Sequence, residues 1–161
     1  MAIDEALVEQ DQARAQQEDQ IMNRRVVVGA FAYLIPTFAL GFVWHLVAFK
    51  RQYEALAMYR HDVIIPFGLL SMSVQAVAFA WVFDVAFARG KVKGPGWAFA
   101  LFGALLSWSF TTIAVAAKNV MTSVPDYLLI ESAFTIVQWI IVGPLMAFVH
   151  ARRAPVAARS V

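Results

Sequence analysis

The chain has 161 residues, of which 61% are hydrophobic and only 15% are charged, and its mean hydropathy is +0.65. A soluble domain carries about 25% charged residues, and here the apolar residues are gathered into long runs, so the composition predicts a polytopic membrane protein. The formal net charge is +2, and the basic residues are not concentrated on one face. This distribution excludes a nucleic-acid-binding surface. The absence of cysteine excludes disulfides, thiolate metal sites and thiol redox chemistry.

Residues 1–23 form an acidic, glutamine-rich segment. They hold six carboxylates against Arg14 alone, and their residue types favour helix with a weak apolar side. We interpret this segment as a solvated cytoplasmic tail that is partly helical. The alternative is a helix that docks on a partner. The pattern is not that of a cleavable signal peptide, which has a basic start and a short apolar core.

Four apolar runs follow, at about residues 26–49, 63–86, 96–117 and 127–149. Each has roughly the 20 residues that cross the hydrocarbon core. Backbone groups in lipid must be satisfied within the segment, so we expect helices. The linkers are short, and the one before residue 63 is amphipathic enough for an interfacial helix. Short linkers make successive helices antiparallel neighbours. The sequence therefore predicts an all-α integral membrane four-helix bundle with up-down topology over residues 24–151.

The distribution of lysine and arginine predicts the orientation. With the N-terminus inside, nine of these 13 residues lie on the cytoplasmic side and four on the other. This asymmetry predicts that both termini are cytoplasmic, with residues 152–161 as a basic cytoplasmic tail. Aromatic residues close to the predicted span ends are typical of the membrane interface; they are Trp44, Trp97, Tyr53, Tyr59 and Tyr127.

Each predicted span carries one stripe of small or polar residues at helical spacing. Such stripes are typical of close helix packing, with hydroxyls and amides bonded between helices; the alternative is a path or site for a polar ligand. In chain order the stripes are Tyr33, Thr37, Gly41 and His45; Ser71 and Gln75; Gly103, Ser107 and Thr111; and Glu131, Thr135 and Gln138.

His45 and Glu131 are the two strongly ionisable residues predicted well inside the spans. Each lies about seven residues, or about 10 Å, outward of the middle of its span. Their equal depths allow the two side chains to pair. Four further residues lie within reach of that level: Thr111, Thr112, Arg60 and Lys118.

Gln75, Ser107 and Gln138 predict a second polar layer near the midplane. Asp84 lies close to the predicted inner interface and to Arg89, which favours simple solvation of its carboxylate there.

The role of the His45–Glu131 level has several interpretations. The simplest is a neutral imidazole that donates one hydrogen bond between helices, and the second is a proton-linked or ligand-binding site. Haem ligation requires a second histidine at matching depth, which is lacking. A metal site built from His45, His61, Asp62 and Glu131 has no recognised spacing. We therefore predict no metal and no cofactor.

Prolines at positions 36, 66 and 144 predict helix kinks, with Pro66 bending the start of the second span. A gating hinge is the alternative interpretation.

The sequence contains no phosphate-binding loop, dinucleotide fingerprint, nucleophile elbow or zinc-protease helix, so we expect a non-catalytic protein rather than an intramembrane enzyme. The first hypothesis is an accessory subunit of a membrane complex or a homo-oligomer, with the bilayer and other membrane subunits as partners. The second is a small transporter or binding protein with an outward-facing polar site around His45 and Glu131, including Gln75, Gln138, Thr111 and Arg60.

The segment WHLVAFKRQYEALAMYRHDVIIPFGLLSMSVQ, residues 44–75, resembles small four-helix bacterial membrane proteins of unknown function. The likeness lies in a Trp-His pair, a Phe-Lys pair, a tyrosine-containing linker and an Ile-Pro that opens the second helix. It covers mainly the first half of the chain. The resemblance implies this architecture and a bacterial inner membrane, and it supplies no activity. It also implies one outer-half constellation, formed by Trp44, His45, Phe49, Lys50, Tyr59, Pro66 and Gln75.

Overall fold

A computed structural model describes residues 2–60, 62–88 and 92–151. These residues form helices without any β-strand. Four of the helices are long and apolar enough to cross a membrane. They are Leu7–Ala48, Ile65–Phe87, Pro95–Lys118 and Val124–Ala151. The predicted tail at 152–161, as well as His61, Arg89 and Lys91, lies outside the described residues.

Three of the four long helices contain a stretch of wider π-helix. In chain order the elements are α1 (Ala2–Val43) continued by a π segment (Trp44–Ala48), α2 (Lys50–Ala55), α3 (Ile65–Val82) continued by a π segment (Phe83–Phe87), α4 (Pro95–Ser107), a π segment (Trp108–Ile113), α5 (Ala114–Lys118) and α6 (Val124–Ala151). Nothing in the apolar pattern predicted the π segments, which are frequent at functional sites.

The helix α1 is 42 residues long. At about 1.5 Å per residue it extends about 63 Å, roughly twice the hydrocarbon thickness of about 30 Å. The segment expected to be partly helical is thus helical from Ala2 onward. Its side chains from Leu7 to Gln20, where described, are exposed.

The prolines have two different roles. Pro36 and Pro144 lie inside α1 and α6. Pro66 instead stands in the first turn of α3, where the missing N–H has no helical partner in any case. The expected bend at Pro66 is therefore wrong, because this proline begins the helix.

The two helices at the centre of the bundle are α1 and α6. They pack against each other, α3 packs on α1, and α4 packs on α6, while the π segment Phe83–Phe87 contacts α4. The crossing of α4 and α6 is close because both helices carry glycine there. A Cβ added to Gly143 would lie 2.5 Å from the carbonyl oxygen of Gly96, and one added to Gly103 would overlap the Trp139 ring.

An aromatic core fills one half of the bundle. Tyr33, Phe83, Phe99 and Trp139 are each at most 1% exposed, and Phe79 packs edge-on against Trp139 at 5.0 Å between centroids. Large apolar side chains such as Phe67 and Leu129 point outward, as expected for a surface in contact with lipid. This core lies between two groups of ionisable residues, one near His45 and the other near His150.

Candidate ligand-binding site

His45 lies in the π segment that ends the first long helix. Its Nδ1 is 2.9 Å from the carbonyl oxygen of Gly41. Because a carbonyl can only accept, Nδ1 carries a proton and donates it. The opposite nitrogen, Nε2, therefore faces away from α1, and it lies 3.2 Å from Oε1 of Glu131 on α6. The structure thus places in contact the two ionisable residues whose predicted depths matched.

Glu131 is 5% exposed, and its Oε1 is surrounded by donors. The hydroxyl of Tyr53 donates to it at 2.8 Å and the hydroxyl of Tyr59 at 3.2 Å, in addition to the His45 contact. Within the described part of the chain, no donor reaches the other carboxylate oxygen, Oε2. Among the described residues, one oxygen of Glu131 therefore has three donors and the other has none.

A hydrogen bond between Nε2 of His45 and Oε1 of Glu131 requires one proton between the two atoms. Nε2 and Oε1 at 3.2 Å attract each other either as imidazolium and carboxylate or as neutral imidazole and carboxylic acid. Both forms carry zero net charge. If that proton leaves, a nitrogen lone pair faces a carboxylate oxygen, which is repulsive.

The linker after the first span supplies the two phenols. Tyr53 and Leu56 are the buried residues of the short helix α2 and its cap, and they pack against Tyr127. The backbone N–H of Thr122 donates to the Leu56 carbonyl at 3.1 Å, and the Thr122 hydroxyl donates to the Ala55 carbonyl at 2.7 Å. These bonds fix α2 across the end of the bundle, with Tyr53 directed at Glu131.

Tyr53 and Tyr127 are 3% and 2% exposed, so their interpretation as interfacial aromatics is wrong. Burial, and then the Glu131 carboxylate, raises the pKa of the Tyr53 phenol above its ordinary value. Tyr53 is therefore a neutral donor at physiological pH. The sequence signal for it was the i, i+3 spacing of Tyr53 and Leu56 in an otherwise polar linker.

A cavity of about 310 Å³ adjoins the pair and is lined by side chains from all four long helices. Glu131 and His45 line it together with the rings of Tyr59, Tyr127 and Phe134. Hydroxyl and amide groups also line it, from Thr37, Ser71, Gln75, Ser107, Thr111 and Gln138, and the lining is completed by Gly68, Met72 and Val115. The polar stripes of the four helices thus border a partly open space that is large enough for a small molecule, and Ser71, Gln75 and Thr111 on its lining are exposed.

The second polar layer lies at the far side of this cavity. Tyr33 donates to the Gln75 amide oxygen at 2.9 Å, and the Gln138 amide lies 3.4 Å from the Tyr33 hydroxyl. Ser107 lines the same space but accepts from the indole of Trp139 at 3.2 Å. Gln75 and Gln138 are therefore joined through Tyr33, a residue that the predicted layer omitted.

The remaining predicted neighbours differ in position. Thr111 lines the cavity, whereas Thr112 is fully buried and its hydroxyl has no partner among the described residues. Arg60 lines a second cavity of about 440 Å³, which shares His45 and Tyr59 with the first and also contains the exposed Lys50–Glu54 pair. We call this second cavity the mouth. Lys118 is exposed, and Arg60 makes no ion pair within the described ranges.

A second group of ionisable residues lies beyond the aromatic core. Asp84 is 1% exposed, and its carboxylate lies 3.7 Å from the Arg25 guanidinium. His150 packs on Phe83 at 4.6 Å between centroids. The expected solvation of Asp84 is therefore wrong, because the π segment directs this side chain inward. Glu131 is likewise not the sole buried carboxylate of the spans.

Residues 2–60, 62–88 and 92–151 contain no group of three or more His, Asp or Glu side chains positioned to hold a metal ion. His61, one member of the metal site considered from the sequence, lies outside these residues.

Comparisons with protein-family models, with curated proteins and with solved structures gave no match.

Proposed function

We propose that the chain is a small membrane transporter or binding protein that takes up a polar ligand in the His45–Glu131 cavity, with proton exchange at that pair. The observation that carries the proposal is Glu131, a carboxylate held by three donors on one oxygen beside a cavity of about 310 Å³. This is the second of the two hypotheses drawn from the sequence. The cavity is the reason for preferring it.

A hydrogen bond that only joins helices would need no such space. Protein interiors are close-packed, with few voids larger than a water molecule. Ionisable residues within spans are expensive and usually mark ion, proton or substrate sites. Here a carboxylate, an imidazole, two amides and several hydroxyls converge on one cavity, which is the arrangement of a ligand site.

Thermal unfolding of the purified full chain in detergent tests this function. The chain is heated with panels of organic cations, organic anions and neutral polar solutes, at mildly acidic and mildly alkaline pH. We expect one class to raise the unfolding midpoint in a pH-dependent manner. The effect should vanish in Glu131→Gln and persist in Asp126→Asn, which removes an exposed carboxylate from the same helix. Stabilisation by no class, or equal stabilisation of Glu131→Gln, would contradict the proposal.

An accessory role is the second candidate, and the length of α1 favours it. Its side chains from Leu7 to Gln20 are exposed wherever they are described, and an isolated polar helix of this length is marginal in water. A partner that covers this half would stabilise it. Purification of a stoichiometric membrane partner with the full chain, and its loss when residues 1–23 are deleted, would support this role.

For both candidates we propose the N-in, C-in orientation and a bacterial inner membrane, from the cation asymmetry and the resemblance of residues 44–75. In that orientation the cavity and its mouth face the outside. A reporter fusion that places the C-terminus outside the cytoplasm would contradict the orientation.

A further inference from the structure

We propose that the ligand of the His45–Glu131 cavity is a small organic cation, which is exchanged for one proton. This inference rests on the proposed function and adds the chemical class of the ligand. It starts from the charges that line the cavity. Glu131 is the acidic residue of the cavity, and within the described residues no lysine or arginine lines the cavity. The cations Lys50 and Arg60 line only the mouth.

The second observation is the aromatic lining around the carboxylate. His45 lies edge-on to Phe134, with 4.7 Å between ring centroids, and 6.5 Å from Tyr59. Tyr59 in turn stacks on Tyr53 at 5.1 Å. Aromatic rings beside a carboxylate are a favourable environment for an ammonium group, because the ring faces are electronegative. A carboxylate ligand would instead meet Glu131 with no basic side chain to balance the two negative charges.

The third observation is the carboxylate oxygen Oε2, to which no described residue donates. Oε1 of Glu131 is occupied by His45, Tyr53 and Tyr59, whereas Oε2 has no donor from the described residues. A cation can therefore approach Oε2 without displacing the two phenols. Tyr53 and Tyr59 continue to stabilise the carboxylate after the proton has left.

The charge balance gives one proton for each cation. Before binding, the His45–Glu131 pair holds one proton and has zero net charge. If a monovalent cation bound with that proton in place, the buried site would carry a net positive charge, which is costly in the membrane. If the proton passes from the pair to solvent, neutral His45, the Glu131 carboxylate and the cation again sum to zero. Binding therefore releases one proton.

Few other groups near the pair can take up or release that proton. The polar side chains that line the cavity from α3, α4 and the π segment Trp108–Ile113 do not titrate. The titratable or charged groups that face the pair, its cavity or the mouth within the described residues are Tyr53, Tyr59, Tyr127, Lys50, Glu54 and Arg60. The phenols donate hydrogen bonds, and the others lie at the mouth.

Choline and tetraethylammonium are the probes, because a quaternary ammonium has no proton of its own to release. Isothermal titration calorimetry of the full chain, in two buffers of different ionisation enthalpy, counts the protons released. We expect about one proton per cation, and an apparent affinity that rises about tenfold per pH unit while the pair is protonated. Dimethylbutanol, the neutral isostere of choline, should bind with an affinity lower than that of choline by a factor of about ten or more. Glu131→Gln should lose cation binding, and Asp126→Asn should retain it.

Equal binding of choline and its neutral isostere would overturn the inference, as would cation binding without proton release. These comparisons use the natural chain, so they hold even if Glu131→Gln folds poorly. If a neutral or anionic solute stabilises the chain through Glu131 and neither cation binds, the cation assignment fails and the proposed function stands. If no class of solute binds, both fail.

Discussion

Replacement of Tyr53 by phenylalanine should reveal how strongly the Glu131 carboxylate is organised. The substitution keeps the buried ring and removes only the hydroxyl that donates to Oε1 at 2.8 Å. A hydrogen bond to a charged group contributes about 1.5 to 3 kcal/mol. Since His45 and Tyr59 still reach the same oxygen, the acceptor is not left unsatisfied, and we expect a loss of about 1.5 to 2 kcal/mol, the lower end of that range.

Tyr59→Phe is the matched control. Tyr59 donates to the same oxygen from 3.2 Å, and its residue is 44% exposed. The longer bond and the access to solvent predict a smaller loss, of about 0.5 to 1 kcal/mol. Equilibrium unfolding of both variants and the natural chain in the same detergent measures the difference in free energy of unfolding.

A double-mutant cycle assigns the effect to the carboxylate. In a Glu131→Gln background, Tyr53→Phe should be less destabilising by about 1 kcal/mol, because the acceptor is no longer charged. If Tyr53→Phe costs no more than Tyr59→Phe, or costs the same in both backgrounds, then the Tyr53 hydroxyl does not stabilise the Glu131 carboxylate in the way described.

Three further predictions concern packing, charge and pH. Gly143→Ala should destabilise the chain by about 1 to 3 kcal/mol through overpacking of the α4–α6 crossing, whereas Gly68→Ala, which meets open space, should change the unfolding midpoint little. Arg60→Gln should raise the association rate of choline at low salt, since a cation at the mouth repels the ligand, and high salt should abolish the difference in stopped-flow binding. The raised pKa of Tyr53 means that the folded chain keeps a proton that the unfolded chain releases above about pH 10. Stability should therefore be intact below that pH and fall as pH rises above it, and the fall should be shallower in Tyr53→Phe.

Much of the architecture follows from the apolar pattern. Four runs of about 20 apolar residues can only be buried in a bilayer as helices, and the structure has four helices of that length and composition. The polar stripes of α1 and α6 identified faces that turn inward, because steps of three and four residues fix which side chains share a face, and Tyr33, Thr37, Glu131 and Gln138 are buried. On α3 the prediction is wrong, since Ser71 and Gln75 are exposed and the buried residues are Ala76 and Ala80. Depth along the helix then predicted which polar residues lie at one level, as for His45 with Glu131 and Gln75 with Gln138.

Three features were decided by tertiary structure alone. The π segments shift side chains around the helix, and hydropathy contains no signal for that shift; one of them turns Asp84 toward Arg25. The fold of the linker brings Tyr53 and Tyr59 onto Glu131, 78 and 72 residues away in sequence. The cavity beside the pair depends on how closely four helices approach, and on glycines that bring α4 against α6 while leaving the His45 end open. The sequence by itself determined which segments form helices long and apolar enough to cross a membrane, and which of their polar residues share a level, since both depend on local composition and periodicity. Only the packing decided that these residues surround a space, because a space depends on distances between segments that are far apart in the chain.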